Sequence, residues 1–91
     1  MALSPKSRQA LKAKAHALKP IILIGNKGLT PALHAELERA LNDHELLKIK
    51  IACNDRDERK EMLEVICAHH EAELVQSIGN IGVLYRKNKD K

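Results

Sequence analysis

The sequence predicts an α/β domain ordered α-β-α-β-α-β-β, with three helices and a four-stranded mixed sheet. Three observations carry this. Apolar residues recur every three or four positions in three separate segments, as in helices with one buried face. Between them lie short β-branched or strictly alternating runs, Ile21–Ile24 and Leu46–Ala52, which suit strands. Helices placed between strands imply parallel or mixed pairing with crossovers, while the late Gly79-Asn80 pair adds an antiparallel hairpin.

Each element has a local reason. Ser4-Pro5 is an N-cap followed by proline at the first helical position. Leu11, Ala15 and Leu18 form the buried stripe of this first helix. Arg8 and Lys12 project together along one flank, with His16 or Lys19 extending the row. Lys19-Pro20 ends the segment and delivers the chain into Ile21-Ile22-Leu23-Ile24, too short for a helix and expected as a buried strand. Gly25-Asn26-Lys27-Gly28 turns the chain, and Thr30-Pro31 caps a second helix reaching about Asp43, with Leu33, Leu37 and Leu41 inward.

In the next strand Leu47, Ile49 and Ile51 face one side while Lys48 and Lys50 face the other. Asp55 with Glu58 is the Asp variant of a capping box and starts a third helix. Its apolar face is Met62, Leu63, Val65 and Ile66, and it ends near His69-His70. Glu73–Ile78 and Ile81–Arg86 are strands joined by a two-residue, Gly-first turn. Residues 1–86 are expected as one domain and 87–91 as a frayed basic tail.

The net charge of +4 is modest, but its distribution is uneven. Lys6, Arg8, Lys12, Lys14, Lys19 and Lys27 precede the first acid, Glu36. From Glu36 to Glu73 eleven acids face six bases, and thereafter four bases face one acid, Asp90. A basic end of this kind suits a polyanion. No apolar stretch is long enough to cross a membrane, and early charges interrupt any signal-peptide core, so no membrane association and a cytoplasmic location are expected. Cys53 and Cys67 have no metal or redox spacing, which agrees with a reducing compartment.

Two glycines around Asn26-Lys27 allow a sharp turn, and on residues alone the loop is equally a plain turn or a ligand cradle. As a cradle it combines backbone N–H groups, a helix start and the Lys27 ammonium, a set that suits phosphate. Should all three helices cover one sheet face, Lys48 and Lys50 would point into an open one. Tyr85 is the sole Phe, Tyr or Trp, so no aromatic platform for stacked bases exists, and recognition should rest on backbone charge and shape. Tyr85 itself is expected at the edge of the core.

Catalysis and metal binding find little support. Asp55, Asp57, Glu58 and Glu61 crowd a helix start, where capping and the helix dipole favour acids. On a helix Cys67 and His70 share a side, but two ligands are too few for zinc, and His16, His34 and His44 fall singly. No nucleotide fingerprint or Ser-His-Asp arrangement stands out. The expectation is no cofactor, no metal and no enzymatic activity.

The stretch Leu18-Lys19-Pro20-Ile21-Ile22-Leu23-Ile24-Gly25-Asn26-Lys27-Gly28-Leu29-Thr30 resembles the signature of the CRM domain (chloroplast RNA splicing and ribosome maturation) in its stand-alone bacterial form, the YhbY family. The likeness continues through His44–Lys50, Asp55-Arg56-Asp57, Gln76–Gly79 and Val83–Arg86, nearly the whole chain. The resemblance implies a fold similar to the C-terminal domain of translation initiation factor 3. It also implies RNA binding through the glycine loop and adjacent basic surface, on precursors of the large ribosomal subunit. A KH domain carries a similar loop between two helices, whereas here it joins a strand to a helix.

By that resemblance Gly25, Asn26, Lys27 and Gly28 are the binding loop, and Lys19, Lys48, Lys50 and Arg86 stand at family-like positions. Arg8 and Lys12 join them on charge alone. The expected partner is ribosomal RNA of the large-subunit precursor, met by a monomer, with ribosomal proteins or assembly factors as further partners. The alternative is a protein-interaction adaptor that docks such a factor through the acidic 36–73 segment.

Overall fold

The computed structural model describes residues 4–87, so residues 88–91 of the expected tail lie outside the described residues. The elements are α1 (Pro5–Ala15), β1 (Ile22–Ile24), α2 (Pro31–Asp43), β2 (Leu46–Ile51), α3 (Arg56–His70), β3 (Glu73–Ile78) and β4 (Ile81–Tyr85). The predicted order is therefore the observed one. The strands form one sheet ordered β1-β2-β4-β3, with β1 parallel to β2 and both contacts of β4 antiparallel. The parallel pair needs a crossover, and α2 supplies it.

Capping sets the helix starts. Ser4 Oγ accepts from the Ser7 N–H at 3.1 Å, and Thr30 Oγ1 accepts from the Leu33 N–H at 3.1 Å. Asp55 Oδ1 takes the N–H groups of Asp57 and Glu58 at 2.9 and 3.3 Å. The Glu58 carboxylate accepts the Cys53 thiol at 3.2 Å, so the acid that would complete a capping box faces the preceding loop. At the β3–β4 turn Gly79 has φ +53°, a Gly-first hairpin as expected.

The helices divide between the two sheet faces. Against one face α2 and α3 bury Leu33, Leu37, Leu41, Leu63 and Ile66 on Ile22, Ile24, Leu47, Ile49, Ile51 and Leu84. Full burial of each such side chain stabilises by about 1.5–3 kcal/mol. On the other face α1 packs Ala15 and Leu11 against Val75, Val83, Leu46 and Tyr85, which places Tyr85 at the core edge as expected. Hence neither face is wholly open; α1 covers part of the face that carries Lys48 and Lys50.

Four apolar positions differ from the sequence expectation. β1 is an edge strand covered on one face only, so Ile22 and Ile24 are buried while Leu23 is 60% exposed and Ile21 lies outside the strand. α1 ends at Ala15, which leaves Leu18 in the exposed connection beyond it. Val65 turns away from the stripe made by Leu63 and Ile66 and is exposed.

Candidate nucleic-acid interface

The strand β1 delivers the chain into a tight turn. The Gly28 N–H donates to the Gly25 carbonyl at 3.0 Å. Neither Asn26 nor Lys27 has positive φ, so the turn is type I, and Gly28 follows with φ +70°. Only Gly28 needs glycine for its backbone conformation. Gly25 has no positive φ, and a Cβ built on either glycine meets nothing within 4 Å. The protein's own packing therefore gives no reason for Gly25. Gly25, Asn26 and Lys27 are exposed, and no acid occupies the first turn of α2 beyond the loop.

The floor beneath the loop is hydrogen-bonded. The Ala52 N–H donates to the Ile24 carbonyl at 2.8 Å, and the Ile51 N–H donates to the Asn80 carbonyl at 2.7 Å. Asn80 Nδ2 returns a bond to the Ile51 carbonyl at 2.7 Å, while Arg59 Nη1 holds the Cys53 carbonyl at 2.7 Å. The loop thus sits at the end of the sheet where β1 and β2 finish and the β3–β4 turn crosses. Lys50 is brought to that end by its pairing with Leu23 and Ile81, and Ile81 pairs onward with Ile78. Leu23, Lys50 and Ile78 are exposed in this row, next to a groove of about 210 Å³ lined by His16, Lys48, Gln76 and Ile81 among others.

The predicted basic residues separate into two groups. Among the described residues no hydrogen bond or ion pair holds the ammonium groups of Lys12, Lys19, Lys27 and Lys50. Three others are committed to the fold. Lys48 Nζ donates to the Ala15 and Leu18 carbonyls at 3.3 Å each, closing the C-terminal end of α1. Arg8 Nη1 donates to the Leu74 and Val75 carbonyls, where β3 carries a bulge against β4. Arg86 Nη1 donates to the His70 carbonyl and to Glu38 at 3.0 Å each, and Nη2 reaches Asn42 Oδ1 at 2.7 Å.

Position adds to this division. Tyr85 pairs with Leu46, so Arg86 stands at the far end of β2, roughly 17 Å from the loop end at the usual rise of a strand. Arg8 reaches that same far end, since Leu74 pairs with Leu84 and Leu84 with Leu47. The structure brings together the loop, Lys27 and Lys50; it does not bring Arg8 or Arg86 to them.

The Arg86 clamp leads to a cluster that periodicity alone did not reveal. His70 is buried, its Nδ1 lies 2.9 Å from Glu38 Oε1, and its Nε2 lies 2.9 Å from His34 Nδ1. Hydrogen bonds from Arg86 and then His70 hold the Glu38 carboxyl down to about 2. Burial, and then His69 and His70, keep the His34 imidazole below its usual range. His34 is thus not a solitary surface histidine. One signal was available: His34, Glu38 and Asn42 recur at four-residue spacing on α2, a polar row beside the apolar one.

The fold and loop define a class, an α/β domain that presents a strand–glycine turn–helix junction, with lysines that have no partner among the described residues, at one end of its sheet. The chain belongs to the CRS1/YhbY (CRM) domain family, whose model matches residues 3–86. It is 48% identical over 88 residues to a probable RNA-binding protein of Pseudomonas aeruginosa, covering 97% of this chain and 85% of that one. It is 44% identical to an RNA-binding protein of Haemophilus influenzae, covering 97% and 89% respectively. A solution structure of a candidate RNA-binding protein from Staphylococcus aureus superposes with a TM-score of 0.85 at 33% identity, over 97% of this chain and 92% of that one. Among the described residues no helix is long and apolar enough to cross a membrane.

Proposed function

We propose that this protein is a non-enzymatic RNA-binding protein that grips the RNA backbone through the Gly25–Gly28 loop. One observation carries the reading: Gly25 is exposed, has no positive φ and has open space around its absent side chain, beside the exposed Lys27. A residue without a Cβ lets a phosphate approach the main chain closely, and Lys27 then supplies the neutralising charge. Lys50 and Lys19 extend the basic surface, and the aliphatic row Leu23, Ile81 and Ile78 offers apolar contact where aromatic stacking has no residues to use. The names of the relatives support RNA as the ligand class. The finer reading, precursor RNA of the large ribosomal subunit during its assembly, rests on the resemblance to the stand-alone bacterial members of the family.

The experiment is gradient sedimentation of cell extract combined with binding to a structured fragment of large-subunit precursor RNA. The protein is expected to travel with large-subunit precursors, and Gly25→Ala is expected to weaken binding while leaving thermal stability unchanged. Gly25→Ala with unaltered affinity overturns the loop as the grip. Association that survives loop changes but is lost on charge reversal at Glu61 and Glu64 would favour the adaptor reading instead.

A further inference from the structure

His34 on α2 and His69 and His70 at the end of α3 each offer a ring nitrogen, and these three atoms lie no more than 4.8 Å from one another. The rings are mutually close, with centroids 4.4, 5.1 and 4.8 Å apart. We propose that these three imidazoles form a binding site for a late first-row divalent metal ion, Zn²⁺ foremost.

The distances suit an ion after a small adjustment. Nitrogens bound to one zinc at about 2.0–2.1 Å stand about 3.3 Å apart in a tetrahedron, and about 2.9 Å apart when cis in a square or octahedral arrangement. His34 Nδ1 and His70 Nε2 are already 2.9 Å apart. The remaining ligand, His69, is exposed, so its ring is free to swing inward by rotation about its side-chain bonds.

The surroundings prepare His70 in particular. Its Nδ1 faces the Glu38 carboxylate, which fixes the ring proton on that atom and leaves the Nε2 lone pair directed at His34. A carboxylate–histidine–metal arrangement of this kind orients the ring and raises its basicity. Arg86 anchors Glu38 through a 2.9 Å ion pair, so the orienting group is itself fixed. In the metal-free protein the short His34–His70 contact is a hydrogen bond with its proton on His34 Nδ1. Ion binding replaces that bond and moves the His34 proton from Nδ1 to Nε2, a change of tautomer that frees the Nδ1 lone pair for the metal.

His69 and His70 also close α3, whose C-terminal carbonyl end favours a cation. Three protein ligands leave one coordination position to solvent on the exposed side, which supplies an entry path. The histidines stand on α2 and α3, which cover one face of the sheet, whereas Lys50 is on the opposite, α1 face, so the two proposed activities are separately testable.

The test uses the full chain made without a polyhistidine tag, titrated calorimetrically with ZnCl₂ and, in parallel, NiCl₂. One ion per chain is expected. His69→Gln, at an exposed position that leaves the fold intact by circular dichroism, should weaken binding by at least about tenfold, and Glu38→Gln should weaken it about 10–100-fold. His16→Gln and His44→Gln should have no effect. Ring-nitrogen resonances of His34, His69 and His70 should shift together at one equivalent of Zn²⁺. Absence of one-to-one binding overturns the proposal. So does binding that survives the double change His34→Gln and His69→Gln, or binding lost only when Cys53 and Cys67 are changed to serine.

Discussion

Replacing Lys27 by alanine removes a charge from the glycine loop while touching no contact that holds the fold. Its ammonium has no partner among the described residues, so stability should change by no more than about 0.5 kcal/mol. The effect belongs in binding. If Lys19, Lys27 and Lys50 each neutralise one phosphate, affinity should fall with salt at a logarithmic slope of about −2.1 to −2.7, and Lys27→Ala should bring it to about −1.4 to −1.8. Between 50 and 200 mM salt that is a loss of roughly 20–40-fold for the natural chain and roughly 7–12-fold for the variant.

Fluorescence anisotropy with labelled precursor RNA over a salt series measures both slopes. The informative comparison is Lys48→Met and Arg86→Met. Each removes one positive charge as well, but from groups bonded to carbonyls within the fold. Loss of the α1 cap should cost about 0.5–1.5 kcal/mol, and loss of the Arg86 clamp about 2 kcal/mol, with slopes unchanged while the protein remains folded. A slope that stays fixed in Lys27→Ala, or that falls equally in all three variants, refutes the assignment of free and committed charges.

Four further outcomes follow from the packing and the titrating groups. Gly82→Ala should destabilise by about 1–3 kcal/mol in urea denaturation, because its Cβ would lie 2.8 Å from Leu63 Cδ2 against the body of α3; an unchanged midpoint would show that α3 yields freely. Glu71→Gly should raise the melting temperature by relieving a non-glycine residue at φ +53° that caps α3, worth up to about 1 kcal/mol, and a lower melting temperature would contradict this. Glu38 has a folded pKa depressed from 4.5 to about 2, so its contribution is complete above 4.5 and drains away as pH falls toward 2. With chelator present, the stability gap between the natural chain and Glu38→Gln should therefore shrink over that window, and a constant gap would exclude the linkage. Burial, with Glu73 nearby, pushes the Cys67 thiol upward, so its reaction with a disulfide reagent at neutral pH should be slow and should accelerate on unfolding; equal rates in both states would refute it.

What the sequence made legible was local. Caps at Ser4, Thr30 and Asp55, the Leu33-Leu37-Leu41 row and the Gly79 turn depend on neighbours a few residues away, and all are present. The glycine loop is legible for the same reason. Arg8, Lys48 and Arg86 were not, because their partners are carbonyls 66, 33 and 16 residues distant, and no spacing rule reports which backbone groups a bulge or a helix end leaves open. The exposure of Leu23 and Val65 escaped for a related reason. A β-branched run does not say whether a strand is central or at an edge, and an apolar helix position does not say how wide the covering sheet is.

Of the cationic side chains bonded to carbonyls among the described residues, all but Lys48 are guanidiniums. Three of the five arginines, Arg8, Arg59 and Arg86, donate to backbone carbonyls, while Lys12, Lys19, Lys27 and Lys50 remain without partners among the described residues. A guanidinium has five donors in a rigid plane and can serve a carbonyl and a carboxylate at once, as Arg86 does with His70 and Glu38. An ammonium is compact, strongly hydrated and mobile on its stem, which suits a contact made to a phosphate arriving from solvent. Net charge therefore overstates the basic surface at the far end of the sheet and understates the contrast at the loop end. There the lysines stand against a hydrogen-bonded floor, so binding need not order the loop's scaffold before charge is neutralised.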